Sequence, residues 1–200
     1  MTWIDQKLEQ NSDAWYAFRH KHLGASQVPS VMGTCDFRTA KDLFEEKINP
    51  PDVKFSNYAT DRGKALEPLI LSIFESKNRC FLSGPVLTYE DWPTLSASLD
   101  GFWKEKNAVI EVKAPSRVKH IMALCELVPT TYIDQVQAQL LVTGADKAYY
   151  VSFHDDEPEG FNYAEVEVFP DLQRQKEILE TCKKFWKMLE TGVFNENWRD

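Results

Sequence analysis

The alternation of apolar and charged positions is clearest in residues 108–113, which read AVIEVK. Small apolar and charged side chains alternate there without glycine or proline, and this pattern predicts a β-strand. Side chains of a strand point to opposite faces in turn, so Glu111 and Lys113 should share one face. Ile110 and Val112 should then enter the core.

Apolar residues at helical spacing predict most of the remaining elements. Ser12 is expected to cap a short helix that holds Trp15 and Arg19. Further helices are predicted over residues 27–32, 39–47, 58–79, 120–128, 130–142 and 172–189. Pro68 should kink or restart the helix that contains it. The apolar stripe that runs from Leu172 to Leu189 is expected to pack on the sheet.

Strands are predicted over residues 80–90, 94–103, 148–154 and 163–169 as well, and the first two should form a meander with residues 108–113. Helices therefore come first, followed by strands and helices in mixed order. This order predicts an α/β fold with a mixed central sheet flanked by helices. A length of 200 residues is expected to form a single domain, residues 1–200.

Composition narrows the class of protein. A hydrophobic content of 43% with 27% charged residues is ordinary for a globular chain, and no apolar run is long enough for a membrane span. The first residues lack the pattern of a secretory signal. Four scattered cysteines without a C-x-x-C pair argue against a zinc or iron–sulfur site and favour reduced thiols in the cytoplasm.

The net charge of −8 argues at first sight against a nucleic-acid partner. Any contact with DNA would need a locally basic surface on this acidic chain, and scattered solvated charges remain the alternative for each cluster. Candidate clusters are Arg19 to His22, Arg62 with Lys64, Lys104 with Lys106, and Arg117 with Lys119 and His120.

Asp100 and Gly101 follow the apolar segment LSASL, where a strand is expected to end in a turn. A hairpin through residues 102–107 would bring Asp100 beside Glu111. Two carboxylates with Lys113 on the same face form a divalent-metal site beside a cation, and oxygen ligands suit Mg²⁺. Such a site fits phosphodiester cleavage. Taken alone, an E-x-K strand is more often a solvated face with cross-strand charge pairs.

Other candidate residues have an ordinary alternative too. Ser26 precedes a predicted helix and follows Arg19 by seven residues, which predicts a phosphate site, although a simple N-cap would give the same pattern. Glu67 lies just before Pro68, where it could reach a metal or remain an exposed helix residue. Residues 135, 137 and 139 are all glutamine, more amides than solubility requires.

Five ordered motifs in residues 15–155 resemble the lambda-exonuclease branch (YqaJ-like, alkaline exonuclease) of the PD-(D/E)xK nuclease superfamily. They are Trp15/Arg19/Ser26, Gly63/Glu67/Pro68, Ser98/Asp100/Gly101, residues 111–115 (EVKAP) and residues 132–144. The glutamine-rich helix that follows EVK is their specific part. One departure is that the family's proline-aspartate motif reads Leu99-Asp100 here.

The resemblance implies a restriction-endonuclease-like core and digestion of one strand of linear double-stranded DNA from 5′ to 3′. The expected cofactor is Mg²⁺, with Mn²⁺ as a substitute. The product would be a 3′ single-stranded overhang for recombination by single-strand annealing. The implied partners are double-stranded DNA ends, an annealing protein and two further copies in a homotrimeric ring, with no membrane. The implied source is a phage or a bacterium that carries prophage genes.

The resemblance also assigns roles to residues. Asp100, Glu111 and the backbone carbonyl of Val112 would bind metal, and Lys113 would orient or deprotonate the attacking water. The other implied residues are Glu67 at the metal or its water, Gln135 at the nucleophile, Arg19 and Ser26 at the 5′-phosphate, and Gln137 in DNA binding.

Two alternatives to this hypothesis remain. One is an endonuclease of the same superfamily, although a Cas4-like enzyme would need clustered cysteines. The other is a non-catalytic scaffold that binds DNA ends, which would have no need for five catalytic residues.

Overall fold

The computed structural model describes residues 3–50 and 58–199. The helices are α1 (Asp13–His20), α2 (Val28–Met32), α3 (Ala40–Ile48), α4 (Tyr58–Asn78), α5 (Arg117–Leu124), α6 (Thr130–Thr143) and α7 (Leu172–Thr191). The strands are β1 (Trp3–Asp5), β2 (Leu23–Gly24), β3 (Val86–Tyr89), β4 (Leu95–Ser98), β5 (Gly101–Trp103), β6 (Ala108–Lys113), β7 (Lys147–Phe153) and β8 (Tyr163–Val168). Short 3₁₀ helices cover Ala25–Gln27 and Lys104–Lys106.

The strands form two mixed sheets of four strands each. One has the order β1-β3-β4-β2, with β2 and β4 parallel, and the other has the order β5-β6-β7-β8, with β6 and β7 parallel. Helices flank both sheets. The predicted mixed α/β class is therefore confirmed, although the strands divide into two sheets rather than one.

Residues 94–103, predicted as one strand, divide between the two sheets. β4 ends at Ser98, and β5 begins at Gly101 in the other sheet. A Cβ atom at Gly101 would lie 2.8 Å from Leu82 Cδ1 and 3.2 Å from Ile110 Cβ, so a side chain there would force both neighbours to shift. This break places Asp100 between the two sheets, at the head of the β5–β6 hairpin.

Helix α6 packs against both sheets, with contacts to β3, β4, β6 and β7, and also against α2 and α7. It is therefore buried almost all round. Ile133 and Leu141 of the predicted apolar stripe are only partly buried, whereas Gln135, Gln137 and Gln139 are buried. Val136 and Leu140, the other members of that stripe, are buried, so the stripe packs in the core and the three glutamine side chains are buried as well.

Strand β6 is covered on both sides. Ile110 and Val112 pack with Ile70 and Phe74 of α4 in one apolar cluster. Val109 points to the other side and belongs to the larger cluster around α6. The alternation predicted for β6 is confirmed, and the face with Glu111 lies against α6.

Sequence signals for helix ends agree well with the structure. Ser12 caps α1 by accepting a hydrogen bond from the Trp15 backbone N–H, as predicted. Thr39 and Asp42 form a reciprocal capping box at α3. Gly144 ends α6 in the left-handed conformation, with φ of 62°.

Helix α4 continues through Pro68 from Tyr58 to Asn78, so the helix does not restart there. One predicted feature of the helices was wrong. Leu172 does not belong to the packed stripe of α7, because it lies in the first turn and is 76% exposed.

Candidate active site

Asp100 and Glu111 come together through the β5–β6 hairpin. Gly101 pairs with Ile110 in antiparallel register, so the residues just outside that pair, Asp100 and Glu111, are neighbours. Asp100 Oδ2 accepts a hydrogen bond of 2.9 Å from the Val112 backbone N–H. The proximity expected from the sequence is present. The turn itself is shorter than predicted and ends at Asn107, which has φ of 45°.

Glu111 is 1% exposed, and both of its carboxylate oxygens are occupied. Oε1 accepts a hydrogen bond from Gln135 Nε2 at 2.6 Å and forms an ion pair with the Lys113 ammonium. Oε2 accepts a hydrogen bond from Gln139 Nε2 at 2.5 Å. Three donors from β6 and α6 therefore fix the orientation of this carboxylate.

The electrostatics of the cluster indicate an excess of negative charge. Burial, followed by the repulsion of Glu111, raises the pKa of Asp100 well above its usual value. Burial also raises the pKa of Glu67, and Glu111 adds to this while Lys113 opposes it. Burial favours a lower pKa for Lys113, but Glu111 and Asp100 outweigh it and the pKa is raised. Lys113 is therefore an ammonium, and its charge partly offsets that of the three acidic residues Asp100, Glu111 and Glu67.

A cavity of about 520 Å³ opens beside this cluster. Glu67, Asp100, Val112, Lys113, Gln135 and Ser26 all line it. Glu111 lies behind the wall, in contact with lining residues. Six of the nine predicted site residues thus share one cavity, and a seventh, Glu111, supports its wall.

Arg19 contacts Ser26, which is one of the residues that line the cavity. Arg19 Nη2 donates a hydrogen bond of 3.1 Å to Ser26 Oγ, and its guanidinium lies 4.6 Å from the centre of the Trp15 ring. Burial lowers the pKa of Arg19, and Arg38 nearby lowers it further. Ser26 lies inside the 3₁₀ helix, whose N-cap is Gly24, so it is not the simple N-cap that the sequence left open.

Gln137 does not belong to this group. It is 3% exposed and lies outside the cavity lining. Its amide N–H donates to the Phe169 carbonyl, and its oxygen accepts from the Asp171 backbone N–H and from Gln175. These bonds tie α6 to the start of α7, so we withdraw Gln137 from the predicted DNA-binding residues.

Three residues near the cluster were not among the predicted catalytic, metal-binding or 5′-phosphate residues. Gln139 holds Glu111, and the spacing of four residues from Gln135 was the available signal, since such residues share a helix face. Arg62 donates to the Ala114 carbonyl and pairs with Asp155, which fixes the loop after β6. Phe37 lines the cavity while 80% exposed, and no periodic pattern marked it.

A second group of potential ligands is formed by His154, Asp155 and Asp156, whose ligand atoms lie within 4.8 Å of one another. The Arg62 guanidinium pairs with Asp155 there, so one carboxylate of this group is already neutralised. None of the three residues lines the cavity. The Asp100–Glu111 cluster is therefore the better candidate for binding a cation.

Residues 14–146 match the family model described as the YqaJ-like viral recombinase domain. The match covers most of the chain and includes every residue of the cluster described above. The chain belongs to the YqaJ-like viral recombinase family.

Curated relatives of this YqaJ-like protein have low but significant similarity. The uncharacterized protein YqaJ of Bacillus subtilis is 27% identical in an alignment of 152 positions that covers 74% of this chain and 48% of that protein. Protein D345L of African swine fever virus is 24% identical in an alignment of 164 positions, which covers 68% of this chain and 46% of that protein. The chain thus spans about half the length of these relatives.

Solved structures of exonucleases share the fold. The alkaline exonuclease LHK-Exo from Laribacter hongkongensis is 25% identical, with a TM-score of 0.79 over 90% of this chain and 94% of its own. LHK-Exo in complex with dAMP matches over the same shares, with a TM-score of 0.80 and 25% identity. A phage-related exonuclease from Haemophilus somnus shares the fold at 12% identity, with a TM-score of 0.66 over 88% and 98%.

Hydropathy adds one further observation. Within residues 3–50 and 58–199, every helix is too short or too polar to cross a bilayer.

Proposed function

We propose that this YqaJ-like protein is a divalent-metal-dependent exonuclease, which digests one strand of linear double-stranded DNA from 5′ to 3′. The proposed cofactor is Mg²⁺, with Mn²⁺ as a substitute, and the 3′ overhang would serve single-strand annealing. The observation that carries the proposal is the cluster of Asp100, Glu111 and Lys113 beside a cavity that also contains Ser26.

The residues fit a hard divalent cation. Asp100, Glu67 and the Val112 carbonyl offer oxygen ligands, which Mg²⁺ prefers over nitrogen or sulfur. Burial and the repulsion of Glu111 raise the pKa values of Asp100 and Glu67, and Lys113 offsets this only in part, so a bound cation would stabilise both carboxylates. A cation that binds Glu111 must compete with the Lys113 ammonium on Oε1, which would free that ammonium for the substrate.

The protein's own residues would then position and polarise the substrate. The ion would supply Lewis acidity, which lowers the pKa of the attacking water and offsets charge on the phosphate. Lys113 remains protonated, so it would donate hydrogen bonds to the water or to a phosphate oxygen where negative charge develops. Gln135 would keep Glu111 in place, and Glu67 would accept a hydrogen bond from the water across the cavity.

The polarity of digestion is assigned to Arg19 and Ser26. Ser26 is exposed in the cavity and receives a hydrogen bond from the Arg19 guanidinium, a pair that can bind a terminal phosphate. With its 5′-phosphate bound at Arg19 and Ser26, the DNA strand would extend along the cavity and present its first phosphodiester bond to Asp100 and Lys113. Digestion would therefore begin at a 5′ end.

Assembly and partners are proposed from the family resemblance. A homotrimeric ring around DNA would let an acidic chain of net charge −8 bind DNA, provided that its Lys and Arg side chains line the channel. A single-strand annealing protein would receive the 3′ overhang in the cytoplasm. Light scattering of the purified protein would measure its molar mass and so test the proposed homotrimer.

The deciding experiment compares linear duplex DNA that bears 5′-phosphate or 5′-hydroxyl ends with covalently closed circular DNA, in Mg²⁺ and in EDTA. We expect mononucleotides from linear DNA alone, released faster from 5′-phosphate ends and absent in EDTA. Glu111→Ala and Lys113→Ala should each abolish release, and activity that survives both changes would refute the assignment.

Other outcomes identify the alternatives. Cleavage of closed circles would make the protein an endonuclease of the same fold. Tight binding of DNA ends without product in Mg²⁺ or Mn²⁺ would make it a non-catalytic scaffold.

A further inference from the structure

Phe37 is the one large exposed apolar residue, among those that the structure describes, that lines the active-site cavity. Its side chain is 80% exposed. Other aromatic residues with similar exposure, such as Phe81 at 92%, lie outside the cavity. An exposed phenyl ring in a cavity that is also lined by carboxylates and a lysine offers no ligand atom to a metal ion, so we expect it to contact another part of the substrate.

The loop that carries Phe37 is fixed on both sides. Thr34 Oγ1 donates to Asp134 at 2.7 Å, and Lys119 pairs with Asp36 at 2.6 Å. On the other side, Arg38 Nε donates to Ser30 Oγ at 3.0 Å. The residues on both sides of Phe37 are therefore held by hydrogen bonds and an ion pair, which fix the position of the backbone while the ring remains in solvent.

The second aromatic residue of the cavity already has its partners. Tyr132 stacks on Tyr150 with 5.7 Å between ring centres, and the ammonium groups of Lys119 and Lys113 lie 5.1 and 5.7 Å from its own ring centre. In the part of the chain that is described, no ring or cation packs on Phe37. Its face is available for a planar ligand.

We infer that Phe37 is a stacking platform for the base of the 5′-terminal nucleotide. This rests on the proposed exonuclease function, because that nucleotide would span the distance from Ser26 to Asp100 along the cavity. A volume of about 520 Å³ has room for one nucleotide. Stacking on an aromatic ring accepts every base, since each has a π-face, and so it suits an enzyme that digests any sequence.

The test removes the ring and the base separately. Wild type and Phe37→Ala are assayed on 5′-phosphorylated duplexes whose terminal nucleotide is intact or abasic. We expect wild type to lose about tenfold in kcat/KM when the base is removed, and Phe37→Ala to lose about tenfold on intact DNA with no further loss on abasic DNA. Phe37→Trp should retain the wild-type rate, and Phe81→Ala is the matched control for losing an exposed phenyl ring.

A second measurement does not depend on cleavage. A duplex with 2-aminopurine as its 5′-terminal base is bound in EDTA, where stacking should quench the fluorescence with wild type but not with Phe37→Ala. If wild type does not cleave and the quench still depends on Phe37, the nuclease proposal fails while the stacking site stands. The stacking site would be overturned if Phe37→Ala lost the same factor in kcat/KM on intact and on abasic DNA. It would also be overturned if wild type and Phe37→Ala quenched the fluorescence equally, or if Phe37→Ala changed its oligomeric state.

Discussion

Gln139 donates its side-chain N–H to Glu111 Oε2 across 2.5 Å, and both side chains are buried. Gln135, one helical turn earlier, donates to the other oxygen. The two amides hold the carboxylate from both sides, so α6 fixes the orientation of Glu111 behind the cavity wall.

We expect Gln139→Leu to weaken divalent-ion affinity and activity by about 10- to 100-fold, because residues that orient a metal ligand contribute that much. Mn²⁺ binding by calorimetry and the Mg²⁺ dependence of the rate measure it. Gln137→Leu is the matched control, since this buried amide of the same helix bonds to Phe169 and Asp171 instead. The control should lose stability but keep its metal affinity; if both variants lose affinity equally, Gln139 has no special role.

The raised pKa of Asp100 predicts how stability depends on pH. The metal-free folded protein keeps a proton on Asp100 at pH values where the unfolded chain, with a pKa near 3.8, has lost it. The folded state therefore binds more protons in that window, and the free energy of unfolding falls as pH rises through it.

Asp100→Asn removes this titration while keeping an acceptor for the Val112 N–H. In EDTA we expect the variant to melt at a higher temperature than wild type near pH 8, and the difference to vanish in acid. Mg²⁺ should stabilise wild type more at about pH 8 than at about pH 5, because the ion competes with protons. Melting curves that stay parallel across pH would contradict the raised pKa.

Ser26→Ala is expected to reduce the preference for 5′-phosphate over 5′-hydroxyl ends by about tenfold, because one hydrogen bond to a charged oxygen is lost. The rate on 5′-hydroxyl ends should hardly change. Ser116→Ala serves as control, since Ser116 is also exposed in the cavity and makes no capping bond. An unchanged preference in Ser26→Ala would remove the phosphate site from this edge of the cavity.

Arg174 forms two hydrogen bonds with the fully buried carboxylate of Asp134, at 2.7 and 2.9 Å. Arg174→Ala would leave that charge buried with Thr34 as its remaining side-chain partner. We expect the free energy of unfolding to drop by about 3 kcal/mol in urea denaturation. Lys176→Ala, an exposed change on the same helix, should stay within about 0.5 kcal/mol of wild type.

Local chemistry made several features predictable. The period of two in residues 108–113 placed Glu111 and Lys113 on one face, and the adjacent turn brought Asp100 to them. The hydroxyl of Ser12 marked the start of α1 correctly. These features depend on residues close in the chain, and short-range geometry decides them.

Helix α6 was harder to predict because two layers of the fold cover it. Gln135, Gln137 and Gln139 look equivalent in the sequence, yet one lines the cavity, one ties α6 to α7, and one holds Glu111 from behind. No periodicity within the helix separates these roles, since they depend on which element faces each side chain.

The sequence by itself determined the α/β class, the family and the set of acidic and basic residues beside one strand. These follow from alternation, spacing and motif order along the chain. Only the tertiary structure decided that residues 94–103 divide between two sheets, that Gln137 turns away from the cavity, and that Phe37 opens into it. The burial of a side chain and its hydrogen-bond partners depend on residues that are distant in sequence and packed against it. The local order of residues along the chain therefore does not reveal them.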